Sequence, residues 1–73
     1  MDEDKVIVRV LQVGGTSGSV TLEAGSTVRD ALEALNIDPN TAKTIRRNND
    51  TSHLDDVVRN NDSVYVVPNV EGN

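Results

Sequence analysis

Residues 20–35 read VTLEAGSTVRDALEAL, and they hold two periodicities back to back. Val20 and Leu22 alternate with Thr21 and Glu23, the period of a half-buried strand. From Val28 the period changes. Val28, Ala31, Leu32 and Leu35 fall at i, i+3, i+4 and i+7, a single apolar stripe along a helix. Thr27 is placed to be the N-cap, and Asp30 three positions later completes a capping-box-like pair with an acid in the first turn. Asn36 suits a left-handed stop, and Pro39 cannot continue the helix. A strand handing over to a capped helix is the centre from which the rest of the chain can be ordered.

Upstream, KVIVRVLQV at 5–13 is rich in β-branched residues and reads as a strand. Val6, Val8 and Val10 share one face; Ile7, Arg9 and Leu11 share the other. GGTSG at 14–18 reads as a hairpin loop that returns the chain into SVTLE at 19–23. Downstream, SVYVVP at 63–68 is a strand with Val64 and Val66 on one face and Tyr65 and Val67 on the other. Two segments stay open. Residues 40–47 hold either a short strand over Thr44-Ile45-Arg46, with Ile45 inward, or a helical turn at 40–44. Leu54 to Arg59 is a single turn or a short strand. RNND occurs at 47–50 and again at 59–62, and both copies read as tight turns, because Asn and Asp tolerate φ > 0 and cap turns with their side chains. The order β-β-α-β-(β)-β around one helix predicts an α+β domain. The expected architecture is a β-grasp, with a mixed four- to five-stranded sheet packed on one main helix and the last strand parallel to the first. Val6, Val8, Val10, Val20, Leu22, Val28, Leu32, Leu35, Ile45, Val64 and Val66 are the expected core.

Composition narrows function. Seventy-three residues allow one domain, residues 1–68, followed by a flexible tail at 69–73. There is no cysteine, so disulfides and thiol chemistry are excluded. Tyr65 is the only aromatic residue and the net charge is −5, both unfavourable for nucleic-acid binding. The chain opens Met-Asp-Glu-Asp-Lys, acidic where a secretion signal is basic, so a cytoplasmic location with no membrane association is expected. His53 has no second His or Cys near it in sequence and predicts no metal site. Asp55 and Asp56 read as turn or cap residues. GGTSG joins two strands and lacks the phosphate-loop pattern. No nucleophile–base pair is visible, so neither an enzyme nor a cofactor is expected.

What remains is surface. Ile7, Leu11, Tyr65 and Val67 point away from the core with Arg9 beside them. Lys43, Arg46 and Arg47 are expected to join them at the rim. Apolar side chains with Tyr and Arg have the make-up of an interface centre.

Three stretches of this chain resemble the ThiS/MoaD sulfur-carrier family, prokaryotic relatives of ubiquitin. VTLEAGSTVRDALEAL at 20–35 is similar to the family's strand, turn and first helix. LDDVVRNNDSVYVVPNVEGN at 54–73 is similar to its closing turn, last strand and tail. The valine-rich first strand is a weaker third. The resemblance implies a ubiquitin-like β-grasp fold and a working C-terminus. There, an adenylating enzyme activates the terminal carboxylate for thiocarboxylate formation or for attachment to lysine. It also implies the partners: a ThiF/MoeB-like adenylating enzyme, or a MoaE-like or ThiG-like synthase. Carried onto this chain, the tail is Pro68, Asn69, Val70, Glu71, Gly72 and Asn73. Gly72 takes the penultimate glycine, and Asn73 stands where the family has its terminal glycine. A tail that threads a narrow tunnel toward ATP is best without side chains. Two functions therefore follow. One is a non-covalent protein-binding module that has lost carrier chemistry. The other is a carrier or protein modifier activated at its C-terminus.

Overall fold

Alternation along the first strand carries through to packing. In the computed structural model, which describes residues 4–68, β1 (Lys5–Gln12) buries Val6, Val8 and Val10 and exposes Ile7, Arg9 and Leu11. β2 (Ser17–Glu23) runs antiparallel to it with Val20 opposite Val8 and Leu22 opposite Val6. The connection is tighter than the expected 14–18 loop, because Ser17 and Gly18 already belong to β2, opposite Leu11 and Val10. Gly14 takes φ +74°, a conformation that favours glycine, and lets the turn close.

The helix α1 (Val28–Ala34) is shorter than the 27–36 span of its sequence signal, but both ends are as the sequence predicts. Asp30 N–H donates to Thr27 Oγ1 at 3.4 Å, and Thr27 N–H donates back to Asp30 Oδ2 at 3.0 Å. The remaining first-turn donors are met from outside the helix: Val28 N–H reaches Asp56 O and Arg29 N–H reaches Leu54 O, both at 2.9 Å. At the other end Asn36 takes φ 62°. Asn36 N–H donates to Glu33 O and Ile37 N–H to Leu32 O, the paired bonds of a Schellman stop. That stop folds Ile37 back into the core. A helix of seven residues is far too short to persist alone, so its stability comes from caps and packing.

Residues 40–47 take the strand reading, with the strand longer than expected. The alternative helical turn at 40–44 is not formed, since residues 42–44 are strand and only a short turn precedes them. A 3-10 turn, Pro39–Thr41, leads into β3 (Ala42–Arg47), where Ile45 is buried. β4 (Asp50–Thr51) is a two-residue return, and β5 (Asp62–Pro68) closes the sheet. The strand order is β2-β1-β5-β3-β4, with β5 parallel to β1 and the other pairs antiparallel. The chain is thus a small α+β domain with a mixed five-stranded sheet and one main helix.

The core holds Val6, Val8, Val10, Val28, Ala31, Leu32, Ile37, Ile45, Val58, Val64 and Val66. Val20, Leu22 and Leu35, expected inside, are partly buried at its margin. They flank the edge strand β2 and the last turn of the helix, where no further element covers them. Val58 is an addition. Thr27 and Val57 form an antiparallel bridge, and Val58 N–H donates to Ser26 O. The bridge leaves Val57 exposed and turns Val58 inward. No helix among the described residues is long and apolar enough to cross a membrane.

Candidate functional site

Among the described residues the sheet has one packed face and one bare face. Because side chains alternate, burying Val6, Val8, Val10, Val64 and Val66 sends Ile7, Arg9, Leu11, Ser63, Tyr65 and Val67 to the other side. Leu11 pairs with Tyr65 across the parallel β1–β5 ladder, and Tyr65 pairs with Arg46 on β3. One row therefore runs Leu11–Tyr65–Arg46 across the three central strands. In the row below, Arg9 stands beside Ser63. In the row above, Val67 lies opposite Thr44, and Val13 N–H donates to Val66 O at 2.9 Å, which brings Val13 alongside.

Four large apolar side chains on this side meet water: Ile7 (50%), Leu11 (47%), Val13 (41%) and Tyr65 (41%). Val67 is partly covered. The expected face of Ile7, Arg9, Leu11, Tyr65 and Val67 is therefore assembled on two adjacent strands. Val13 extends it. Its parity matches Leu11, and it is the last residue of the strand signal at 5–13, but faces are assigned from the sequence only as far as Leu11; the observed strand ends one residue before Val13.

The expected basic rim needs correction. Arg46 is on the outer face, but Arg47 is not. It shares the inward parity of Ile45, and its Nη1 donates to Asp62 Oδ2 at 3.3 Å and to Val57 O at 3.2 Å. Lys43 falls where the β3–β5 register shifts, between Ala42 and Thr44, and is outside the regular rows. Among the described residues Arg9 and Arg46 make no ion pair. Together with Leu11, Ser63, Asn49 and Tyr65 they line an open hollow of about 630 Å³.

The two RNND copies are turns, as expected: Asn48, Asn49 and Asn61 all have positive φ. The copies are also bonded to each other. Asp62 accepts from Arg59 N–H (2.8 Å), from Asn48 Nδ2 (2.8 Å) and from Arg47. Asn48 Oδ1 accepts from Ser63 N–H, and Asn60 Oδ1 accepts from Ile7 N–H. Burial alone would raise the Asp62 carboxyl, but the bonds from Arg59, Asn48 and Arg47 outweigh it and hold the group below the ordinary carboxylate range. These turns are a structural clamp at one end of the sheet.

Asp56 is likewise a cap. It accepts from His53 N–H and Ser52 Oγ, which lower its pKa. Asp55 pairs with Arg29 at 2.8 Å. Among the described residues no group of three or more His, Cys, Asp or Glu is placed to hold a metal ion. Pro68 ends β5. The rest of the expected tail site, Asn69, Val70, Glu71, Gly72 and Asn73, lies outside the described residues.

No family model matches the chain, and no curated protein matches it. Among solved structures, the chain is similar to the Haloferax volcanii HVO 2177 protein, known from its solution structure. The TM-score is 0.71 at 18% sequence identity, covering 100% of this chain and 92% of that one. At that identity the likeness is one of fold alone.

Proposed function

We propose that this chain is a ThiS/MoaD-like, ubiquitin-like β-grasp domain. It works by binding protein partners through its outer sheet face and the tail at 69–73. The observation that carries the reading is the bare face: Leu11 and Tyr65 paired at mid-sheet, flanked by Ile7 and Val13, with Arg9 and Arg46 beside them. Apolar surface concentrated on one face of a small domain is a mark of an interaction site. Tyr and Arg are the side chains that most often dominate binding energy. The β-grasp assignment is supported by a parallel first and last strand, an N-terminal hairpin and a helix against one face.

The test uses a ThiF/MoeB-like adenylating enzyme as the partner in calorimetric titration. Tyr65→Ala should weaken binding by about 2 kcal/mol, roughly thirtyfold in Kd. Its thermal midpoint should stay close to that of the unaltered chain, because the ring stands outside the core. A large loss of stability with unchanged affinity would make Tyr65 a structural residue and overturn the reading.

Carrier chemistry is the second reading. It is favoured by the position of β5 in the middle of the sheet, with 69–73 continuing from Pro68 and bearing Gly72. ATP–pyrophosphate exchange with the same enzyme separates the two. The unaltered chain should be a poor substrate, and Asn73→Gly should improve it, whereas a form lacking 69–73 should support none. Robust exchange by the unaltered chain would overturn the loss of carrier chemistry. No exchange by Asn73→Gly, with binding still dependent on 69–73, would remove the carrier.

A further inference from the structure

Charge is distributed unevenly about this molecule. The chain carries −5 overall, yet the regular outer-face rows hold Lys5, Arg9 and Arg46 against one acid, Glu23. Glu23 is already paired with Lys5 at 2.6 Å. The other described acids lie off these rows: Asp30 and Glu33 on the helix, Asp38, Asp55 and Asp56 in the loops around it, Asp4 before β1, Asp50 opposite Arg47 in a row of inward parity, and Asp62 buried. Arg9 and Arg46 are therefore two guanidinium groups without a carboxylate among the described residues, both lining one hollow whose wall also contains Leu11 and Tyr65.

We infer that the hollow takes an acidic segment of a partner protein, its carboxylates on Arg9 and Arg46 and an apolar side chain between them on Leu11 and Tyr65. This rests on the protein-binding reading above and names the partner's chemistry. Spacing supports it. Arg9 and Arg46 lie on strands either side of β5 and one row apart, so their Cα atoms are about 12 Å apart. Carboxylates at i and i+4 of an extended segment stand roughly 13.6 Å apart and share one face with the side chain at i+2, so two acids can meet the arginines while the residue midway between them faces Leu11 and Tyr65. Asn49 and Ser63 add polar groups at the margin of the hollow. A nucleic acid fits poorly. Its phosphates extend well beyond the hollow, on a chain that is acidic overall, and Tyr65 is the one ring lining the hollow for a base to stack on. A short peptide places its charges only where the arginines are.

The test is amide chemical-shift mapping on the full chain with three synthetic peptides: Gly-Asp-Gly-Leu-Gly-Asp-Gly, its counterpart with both Asp replaced by Asn and its counterpart with both Asp replaced by Lys. The acidic peptide should shift Arg9, Leu11, Ser63, Tyr65 and Arg46 at low salt and be released as salt rises. The other two should not bind. Reversing both arginines, Arg9→Glu with Arg46→Glu, should weaken the acidic peptide by on the order of tenfold or more and admit the lysine peptide. Equal binding of the amide peptide, shifts centred elsewhere, or no binding of the acidic peptide would overturn the inference. So would tighter binding of inorganic phosphate or of a thymidine oligonucleotide at the same residues. The adenylating enzyme separates the two levels. If Tyr65→Ala weakens its binding and the double reversal does not, the protein-binding face stands and the acidic partner falls. If neither variant matters, both fall.

Discussion

Leu32→Ala is expected to cost about 2–5 kcal/mol of folding stability, the range for emptying a fully buried leucine site. In this domain the loss should fall toward the upper part of that range. Leu32 is fully buried between the helix and the sheet, and the surrounding valines are short, β-branched and stiff at χ1, so they cannot easily move in to fill the gap. Its carbonyl also accepts the Ile37 N–H that closes the helix stop, and Ile37 lies in the same core cluster. Truncating the side chain thus loosens the hydrophobic half of the stop as well as the core. Small domains hold roughly 5 kcal/mol or a little more in reserve, so a large share of the molecules should be unfolded at ordinary temperature. Urea unfolding followed by far-ultraviolet circular dichroism measures it. Leu32→Met, which nearly conserves volume, should cost under about 1.5 kcal/mol. Equal losses for the two variants would show that the site is set by side-chain shape rather than by filled volume. A Leu32→Ala loss below about 1 kcal/mol would mean the core closes over the gap.

What the sequence made legible was local. The capping box lies within four residues, and the helix stop was readable from Asn36. Ile37 was not, because it follows the end of the periodic stripe and enters the core only through the geometry of the stop. Val57 and Val58 are adjacent and both apolar, so alternation could not choose between them. A single bridge from Thr27 makes the choice. The outer face was readable because β1 and β5 alternate strictly, so that burying Val8 and Val66 commits Arg9 and Tyr65 to the other side. Arg47 was a readable error. With Ile45 inward, the residue two places on also faces inward, and its charge misled the reading because a buried-side arginine needs a partner that lies fifteen residues away in the second RNND copy. The duplicated turn chemistry was visible in the chain; the bonding of one copy to the other was not.

That bonding gives the last expected result. Asp62→Asn should cost on the order of 2–4 kcal/mol at neutral pH, since hydrogen bonds to a charged acceptor are the stronger kind and one amide nitrogen would face donors. Asp62 is almost fully buried and accepts from Arg59 N–H, Asn48 Nδ2 and Arg47 Nη1. The amide keeps the shape, leaves one oxygen to accept, and turns an NH₂ toward either the Arg59 and Arg47 donors or Asn48 Nδ2, the Asn48 oxygen being already occupied by Ser63 N–H. The partly exposed Arg47 can swing toward water, which keeps the loss below that of a sealed ion pair. The pH dependence follows from the depressed carboxyl. A group whose folded-state pKa lies below its unfolded value of about 3.9 contributes fully above that pH and loses its contribution as pH falls through the folded value. The unaltered domain should therefore lose stability on acidification below about pH 4, and Asp62→Asn should lose less over the same interval. Asp56 is depressed as well, so the unaltered curve contains both groups, and the difference between the two curves isolates Asp62. Urea midpoints taken from neutral pH down to about pH 2.5 supply that difference. Convergence of the curves in acid is the expected outcome. Curves that remain parallel throughout would mean that Asp62 holds the two turns together by shape alone, with no charge-assisted bond between them.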